Sequence, residues 1–368
     1  MLLSIIIPTK NRYSTLFKVV ELLTSFNEND EMEIVIQDNS DNNSEAITFF
    51  SGYSQHNNIR YFHSPERLSV IENSDLAVLN SSGEYVCFIG DDDAVMPNII
   101  SVVRWMKKNN FKALKSYEPN YYWPNLKSNY LSADDSGVFR YKKWKKSSFE
   151  VISTSAALSY TIARGAVLID KLPCLYHGIV ERNVLDKIYQ KAASYFPGAS
   201  PDMANSIALT QLIDSYVLVS YPVTISGKST NSAGGAGVLH QHVAKIEDVA
   251  HLPKDTAEKW DSRIPKYWTG PTIYAETAIK ALQVFNDVDS LKQFNFDYLY
   301  AYISIFNRRQ NHIIFKDFHF ENPLRVFFFK LVILAKRIRI FISNRNGSVK
   351  TESQLKDIGE AVSFASKL

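Results

Sequence analysis

The chain has 368 residues, enough for one large or two medium domains with a substantial core. Its 45% hydrophobic and 21% charged content are ordinary for a globular protein, and a net charge of +3 is far too small to argue for nucleic acid. Only two cysteines occur, Cys87 and Cys174, which leaves no disulfide framework or zinc spacing and fits a reducing compartment. The aromatic share of 13% is high and leaves room for stacking surfaces. The start, Met1 to Pro8, is apolar but has no basic leader and no small-residue cleavage site after it. It is expected to be a first strand rather than a secretion signal, in a cytoplasmic or membrane-peripheral protein.

Residues 2–112 alternate strand and helix signals. Leu3–Ile7 reads as a strand, and Tyr13–Phe26 carries apolar residues at helical spacing. A strand at Glu33–Ile36, a helix at Ser44–Phe50 and a strand at Ile59–Phe62 follow. A helix over about 67–80 then leads to a strand at 84–89 and a helix at Ile99–Lys108. This alternation predicts an α/β fold with a mostly parallel sheet flanked by helices. From 113 to 165 the pattern degrades, with Tyr117, Tyr121, Tyr122, Trp123, Tyr130, Tyr141 and Trp144 among polar residues. This stretch reads either as a wet aromatic loop or insertion, or as aromatics packing the edge of a second half-domain. Helices at 178–193 and 201–213 and a strand at 216–221 are expected next. The small-residue run Ser226–Gly237 contains Gly227-Lys228-Ser229, but Pro222 stands where a phosphate loop needs Gly, so a lid or substrate rim is expected. Helical signals resume over 270–310. The stretch 323–342 is long enough to span a membrane but carries Arg325, Lys330, Lys336, Arg337 and Arg339. It reads as a basic amphipathic helix on an anionic leaflet, or as a core or oligomer helix with snorkelling cations. The tail 346–368 is expected to be weakly ordered.

The most informative segment is Tyr85 to Pro97. An apolar run, Tyr85–Ile89, ends in Gly90 and three adjacent carboxylates, Asp91, Asp92 and Asp93. Such a triplet repels itself unless neutralised, and Mg²⁺ or Mn²⁺ does that through oxygen ligands while bringing phosphates with it. A solvated acidic turn capping the helix after Pro97 is the simpler alternative. Two further strand ends are polar: Pro8-Thr9-Lys10-Asn11-Arg12 and Gln37-Asp38-Asn39-Ser40-Asp41. In a parallel sheet all three ends share one edge, where open α/β sheets hold their ligands. A base and ribose need partners such as Asp38 and the Thr9 backbone, a diphosphate needs a metal, and the metal needs carboxylates.

These motifs, with Asn73 on the preceding helix and Gly83-Glu84-Tyr85 before Phe88-Ile89-Gly90-Asp91-Asp92-Asp93, make the chain resemble glycosyltransferase family 2. The likeness covers residues 2–110 well and 165–235 loosely. It implies a GT-A (Rossmann-like) domain over 1–240, divided into a nucleotide-sugar half (1–112) and an acceptor half (113–240). A helical C-terminal region over 241–345 follows. It also implies a donor site of Pro8, Thr9, Asn11, Arg12, Asp38, Asn73 and Asp91, and a Mn²⁺ or Mg²⁺ site within Asp91, Asp92 and Asp93. The donor implied is a nucleotide-diphospho-sugar, a UDP-sugar by preference, and the acceptor a saccharide, free or lipid-linked, in bacterial surface polysaccharide synthesis on the inner face of the plasma membrane. The general base is implied at the start of a helix about a hundred residues after the metal motif. Asp202 in Ala199-Ser200-Pro201-Asp202 fits, with Glu181 in reserve. Arg67 is a further candidate near the donor, and His240 and His242 near a diphosphate. A sugar nucleotidyltransferase needs a Gly-rich first loop, which Pro8–Arg12 lacks; a silent nucleotide-sugar or membrane scaffold is the other alternative.

Overall fold

The computed structural model describes all residues except 27–28, 127–135, 146–147, 231, 233–242, 317 and 344–348. The N-terminal part alternates as expected: β1 Leu3–Thr9, α1 Tyr13–Thr24, β2 Met32–Asp38, α2 Ser44–Ser51, β3 Ile59–His63, α3 Val70–Leu79, β4 Tyr85–Phe88, β5 Ala94–Val95 and α4 Ile99–Lys108. Next come β6 Ala113–Ser116, β7 Asn120–Tyr122, β8 Val138–Tyr141, β9 Phe149–Ser153, α5 Thr154–Ile162, β10 Gly178–Glu181, α6 Arg182–Ala192 and α7 Pro201–Thr210. After β11 Ser215–Val219, β12 Thr224–Lys228, β13 Ala244–Lys245 and β14 Tyr267–Trp268 come helices α8 Gly270–Val284, α9 Val288–Lys292, α10 Phe296–Phe306, α11 Asn311–Ile314 and α12 Pro323–Ser343. The chain closes with β15 Lys350–Glu352 and α13 Ile358–Ser366.

The main sheet has the order β3-β2-β1-β4-β10-β6-β11-β9. β1 pairs in parallel with both β2 and β4, so their carboxyl ends share one edge, with Thr9 opposite Asp38. Strands β1, β2 and β4 are almost wholly buried and apolar, as central parallel strands must be. A second sheet, β15-β8-β7-β12-β5, stands against the acidic end of β4. A separate core joins α5 and α7 to α8, α10 and α12.

Three expectations are corrected, and one left open between two readings is decided. The stretch expected to be helical from 178 begins as a strand, β10, antiparallel between β4 and β6. Four residues are too short for strand alternation to stand out from the helix that follows. Where 113–165 is described it holds β6 to β9 and α5, and Tyr121, Trp123 and Tyr141 are buried, so for these three the packing alternative holds, while Tyr130 lies outside the described residues. Ser226–Lys228 belongs to β12 and not to a lid, while 231 and 233–237 lie outside the described residues. The tail is ordered where described: β15 pairs with β8, and Ile358, Ala361, Val362 and Ala365 of α13 are buried in the main core. Their one-sided helical spacing supplies the apolar stripe that docks it.

Candidate active site

The three strand ends open into a cleft of about 1720 Å³. Pro8, Thr9, Arg12, Asn73, Asp92 and Asp202 all line it. Arg67 is at its rim, donating to the carbonyl of Ala250. Asn11 sits just behind the lining in a left-handed conformation (φ 56°), which Asn tolerates better than most residues. From there it exchanges hydrogen bonds with Asp41 and donates its N–H to Ser40. Asp38 is wholly buried beneath the cleft: Oδ2 accepts from the hydroxyls of Tyr13 and Tyr61, and Oδ1 from the Ser40 N–H. Asn39 and Asp41, its neighbours, reach the cleft instead.

The acidic triplet is buried and divides into three different environments. Asp91 Oδ2 accepts from Thr9 Oγ1 and pairs with Arg12 Nε at 2.9 Å, while Oδ1 is buried without a partner. Asp92 Oδ2 accepts from the backbone N–H and hydroxyl of Ser229, and its carbonyl accepts from Trp123 Nε1 at 2.8 Å. Asp93 is saturated. Its Oδ2 accepts from the Gly90 N–H and the Tyr176 hydroxyl and lies 2.6 Å from His177 Nε2, and its Oδ1 accepts from the Gly227 N–H. Burial pushes Asp91 up to about 7 despite Arg12, and burial with the neighbouring Asp93 pushes Asp92 up as well. Burial acts on Asp93 in the same sense, but the charge and hydrogen bond of His177 bring it down to about 2. His177 also lies 3.1 Å from Glu118; burial lowers its pKa, yet the two carboxylates push it up to about 10, so it is an imidazolium at neutral pH.

Gly90, which precedes the triplet, is held in a crowded position. A Cβ at this position would come 2.9 Å from Asp93 Oδ2 and 3.0 Å from the Tyr176 hydroxyl. Gly227 is constrained more tightly, because a Cβ there would lie 1.7 Å from the Asp92 carbonyl oxygen. Sequence reasoning missed the clamp of Gly227 and Ser229, His177 and Tyr176. Backbone N–H groups have no side-chain signature; the lone signal was a run of small residues.

Asp202 stands in the first turn of α7, after Ser200 and Pro201 as the motif predicts. The Ser200 hydroxyl donates to its Oδ1 at 2.8 Å instead of capping the helix, and the Tyr274 hydroxyl donates to Oδ2 at 2.7 Å. Tyr274 belongs to α8, and burial raises its pKa well above the usual value, so it remains a donor. Glu181 is brought elsewhere. It pairs with Tyr85 at the start of β4, on the sheet edge opposite the triplet. His240 and His242 lie outside the described residues. Cys87 and Cys174 are free and buried, with burial raising both thiol pKa values, which suits neither to nucleophilic work.

Among the described residues no three His, Cys, Asp or Glu side chains converge as a ready cation cage. Magnesium in phosphate-handling sites is commonly held by one or two carboxylates plus substrate phosphates, so the orphaned Asp91 Oδ1 beside Asp92 fits such a partial donor set.

A mostly parallel sheet with its polar strand ends and acidic turn on one cleft is the GT-A glycosyltransferase fold. Residues 4–163 match the family model described as Glycosyl transferase family 2. Among solved structures, S. aureus TarS 1-349 in complex with UDP-GlcNAc is similar at 12% identity and a TM-score of 0.51, over 86% of this chain and 74% of that one. S. aureus TarS aligns at 14% identity and a TM-score of 0.45, over 62% of this chain. A further structure of S. aureus TarS 1-349 aligns at 15% identity and a TM-score of 0.44, again over 62% of this chain. The chain spans 37% and 60% of the lengths of these last two. No curated protein matches the chain.

Proposed function

We propose that this protein is an inverting glycosyltransferase that moves a sugar from a nucleotide-diphospho-sugar to a saccharide acceptor, with Asp202 as general base. The observation that carries the reading is the meeting of Asp92, from the acidic triplet, and Asp202 on one cleft. A UDP-sugar is the favoured donor, because the similar TarS structure is a UDP-GlcNAc complex. Pro8, Thr9, Arg12 and Asn73 line the donor end, with Asn11 and Asp38 holding the strand ends behind them.

In the reaction the acceptor hydroxyl gives its proton to Asp202 as its oxygen attacks the anomeric carbon. The bond from that carbon to the diphosphate breaks on the opposite face, and the nucleoside diphosphate departs with the electron pair. Arg12, which lines the cleft beside Asp91, would meet that developing negative charge. Mg²⁺ or Mn²⁺, when bound, would neutralise the diphosphate. Asp91 and Asp92 are the ligands proposed for it, and the saturated hydrogen bonding of Asp93 suits an anchor that holds the other two in place.

Helix α12 supports a peripheral membrane setting for bacterial surface polysaccharide synthesis. Val326 and Ile333 face the protein body, while Leu324, Phe327, Phe328, Leu331 and Ile338 are 52–82% exposed, with Arg325, Lys330 and Arg337 on the flanks. No helix among the described residues is long and apolar enough to cross a membrane.

The test is donor turnover by the purified full chain with a panel of nucleotide-sugars and Mn²⁺ or Mg²⁺. Metal-stimulated release of the nucleoside diphosphate, lost in Asp92→Ala, is the expected result. Asp202→Asn should bind the donor and not turn it over in transfer. Donor binding without turnover under any condition would leave the scaffold alternative standing, and no donor binding at all would overturn the reading.

A further inference from the structure

The Gly227-Lys228-Ser229 run, whose spacing rules out a phosphate loop, is brought beside the acidic triplet by strand β12. The Gly227 N–H donates to Asp93 Oδ1 at 2.7 Å, and the Ser229 N–H to Asp92 Oδ2 at 2.9 Å. In a phosphate loop such N–H groups face phosphate oxygens. Here carboxylates have taken them, and what is left over is the lysine. Successive strand residues point to opposite faces, so Ser226 and Lys228 share a side. The Lys228 Nζ accordingly donates to Ser226 Oγ at 2.9 Å. Lys228 is half-buried and lines the cleft together with Asp92 and Arg12.

The cations along the cleft differ in what already holds them. Arg12 pairs with Asp91, Lys10 donates to Asn39 Oδ1, and Arg67 donates to the Ala250 carbonyl. Arg308 and Arg309 are exposed. Among the described residues the Lys228 ammonium makes one hydrogen bond, to a neutral hydroxyl, and no ion pair. An ammonium has three N–H donors, so two remain. Its charge reaches the triplet: the Asp93 pKa, raised by burial and lowered by His177, is lowered further by Lys228.

We infer that Lys228 is a further catalytic residue, whose ammonium takes the β-phosphate of the departing nucleoside diphosphate. This inference rests on the glycosyltransferase reading and adds a side-chain cation to its leaving-group side. As the bond between the anomeric carbon and the β-phosphate oxygen breaks, the electron pair stays on that oxygen. Lys228 donates a hydrogen bond to the β-phosphate and keeps its proton, so it acts by charge. A lysine with a structural role would meet a carboxylate. A merely solvated one would not be half-buried against a hydroxyl whose residue, Ser226, is 4% exposed. Residues 227 and 229 therefore hold the carboxylates, and residue 228 between them serves the phosphate.

Calorimetric titration of the full chain with UMP and UDP tests this, in EDTA so that no divalent ion shares the diphosphate. The mono- and diphosphate of another base replace them if that is the base the wild type binds. Wild type should bind the diphosphate more tightly than the monophosphate. Lys228→Met keeps the aliphatic stem and removes the charge. It should weaken diphosphate binding by about tenfold and leave monophosphate binding within about twofold, which also shows that the site is folded. Lys228→Gln, which keeps a donor without the charge, should behave in the same way. Equal weakening of both nucleotides in both variants would make Lys228 a structural residue and overturn the inference. So would a diphosphate preference that survives both substitutions, or one that the wild type lacks. In those cases the nucleotide still binds and the donor reading stands; if the wild type binds no nucleotide of any base, the donor reading fails as well.

Discussion

Nε2 of His177 lies 2.6 Å from Oδ2 of Asp93, 84 residues earlier in the chain, with both side chains almost fully buried. Glu118 holds the other ring nitrogen. The imidazolium thereby supplies the positive charge that lets one member of an acidic triplet stay ionised in the core. His177→Ala leaves Asp93 as a buried charge without its counter-ion and is expected to cost about 3–5 kcal/mol. Glu118→Gln, whose carboxylate is 29% exposed, should cost far less. Equilibrium denaturation of the two variants checks the ordering; equal losses would contradict it.

Tyr274→Phe removes the hydrogen bond to Asp202 Oδ2 without altering the packing of the ring. Since Tyr274 acts through Asp202, kcat is expected to fall by about tenfold, the usual scale of a lost positioning hydrogen bond at about 1.5 kcal/mol. The KM for the donor should stay unchanged. A rise in donor KM with kcat intact would show that the hydroxyl serves the donor instead.

Gly227→Ala cannot be accommodated by rotating a side chain, because the added Cβ meets backbone at Asp92. The strand must move, taking the N–H donors of Gly227 and Ser229 away from Asp93 and Asp92. A loss of at least about 3 kcal/mol is expected, together with weakened UDP binding. Ser229→Ala removes only the hydroxyl and should lose about 1 kcal/mol. Thermal melts with and without UDP distinguish these outcomes.

Burial pushes the Asp75 carboxyl up to about 6, against the Ser194 and Tyr195 hydrogen bonds that lower it. Its folded pKa is above the unfolded value near 3.8. The ionised side chain therefore destabilises the fold, with the penalty absent below about pH 4 and complete above about pH 6. Asp75→Asn is expected to be more stable than wild type at pH 7.5 by about 1–2 kcal/mol, and the difference should close as the pH falls towards 4. Denaturant titrations across this range give the answer; a gap that widens on acidification would reverse the sign.

Removal of residues 349–368 should destabilise the N-terminal part of the fold, since Ile358, Ala361, Val362 and Ala365 pack into the same core as Leu16, Val19 and Leu23. Calorimetry of the shortened chain would show a lowered melting transition; an unchanged one would mean that α13 is dispensable.

The N-terminal α/β part was legible because parallel topology obliges successive strand ends to share an edge. Pro8–Arg12, Asp38–Asp41 and Asp91–Asp93 could be assembled from order alone. The helix start around Asp202 was legible from Ser200 and Pro201, while its proposed role came from the family resemblance. What could not be read depends on pairings between distant segments. Gly227 and Ser229 act partly through backbone groups, and Tyr274 is one aromatic among many until α8 packs on α7. The burial of Asp38 depends on Tyr13 and Tyr61 meeting over it. The tail helix carries only four buried apolar residues, three of them small or medium, which is a faint stripe in a short polar segment.

The clamp on the acidic triplet has a consequence for biosynthesis. As the chain leaves the ribosome, Asp91, Asp92 and Asp93 emerge long before His177, and longer still before Gly227 and Ser229. A nascent chain ending at residue 163, where the family match ends, would hold three crowded carboxylates with Arg12 as their one adjacent cation. The hydrogen bonds that hold them are therefore complete only after β10 and β12 have been made, and those on Asp202, the proposed base, only when Tyr274 follows. Maturation of the two chemical ends of the cleft is timed by segments far downstream of the residues that would do the chemistry.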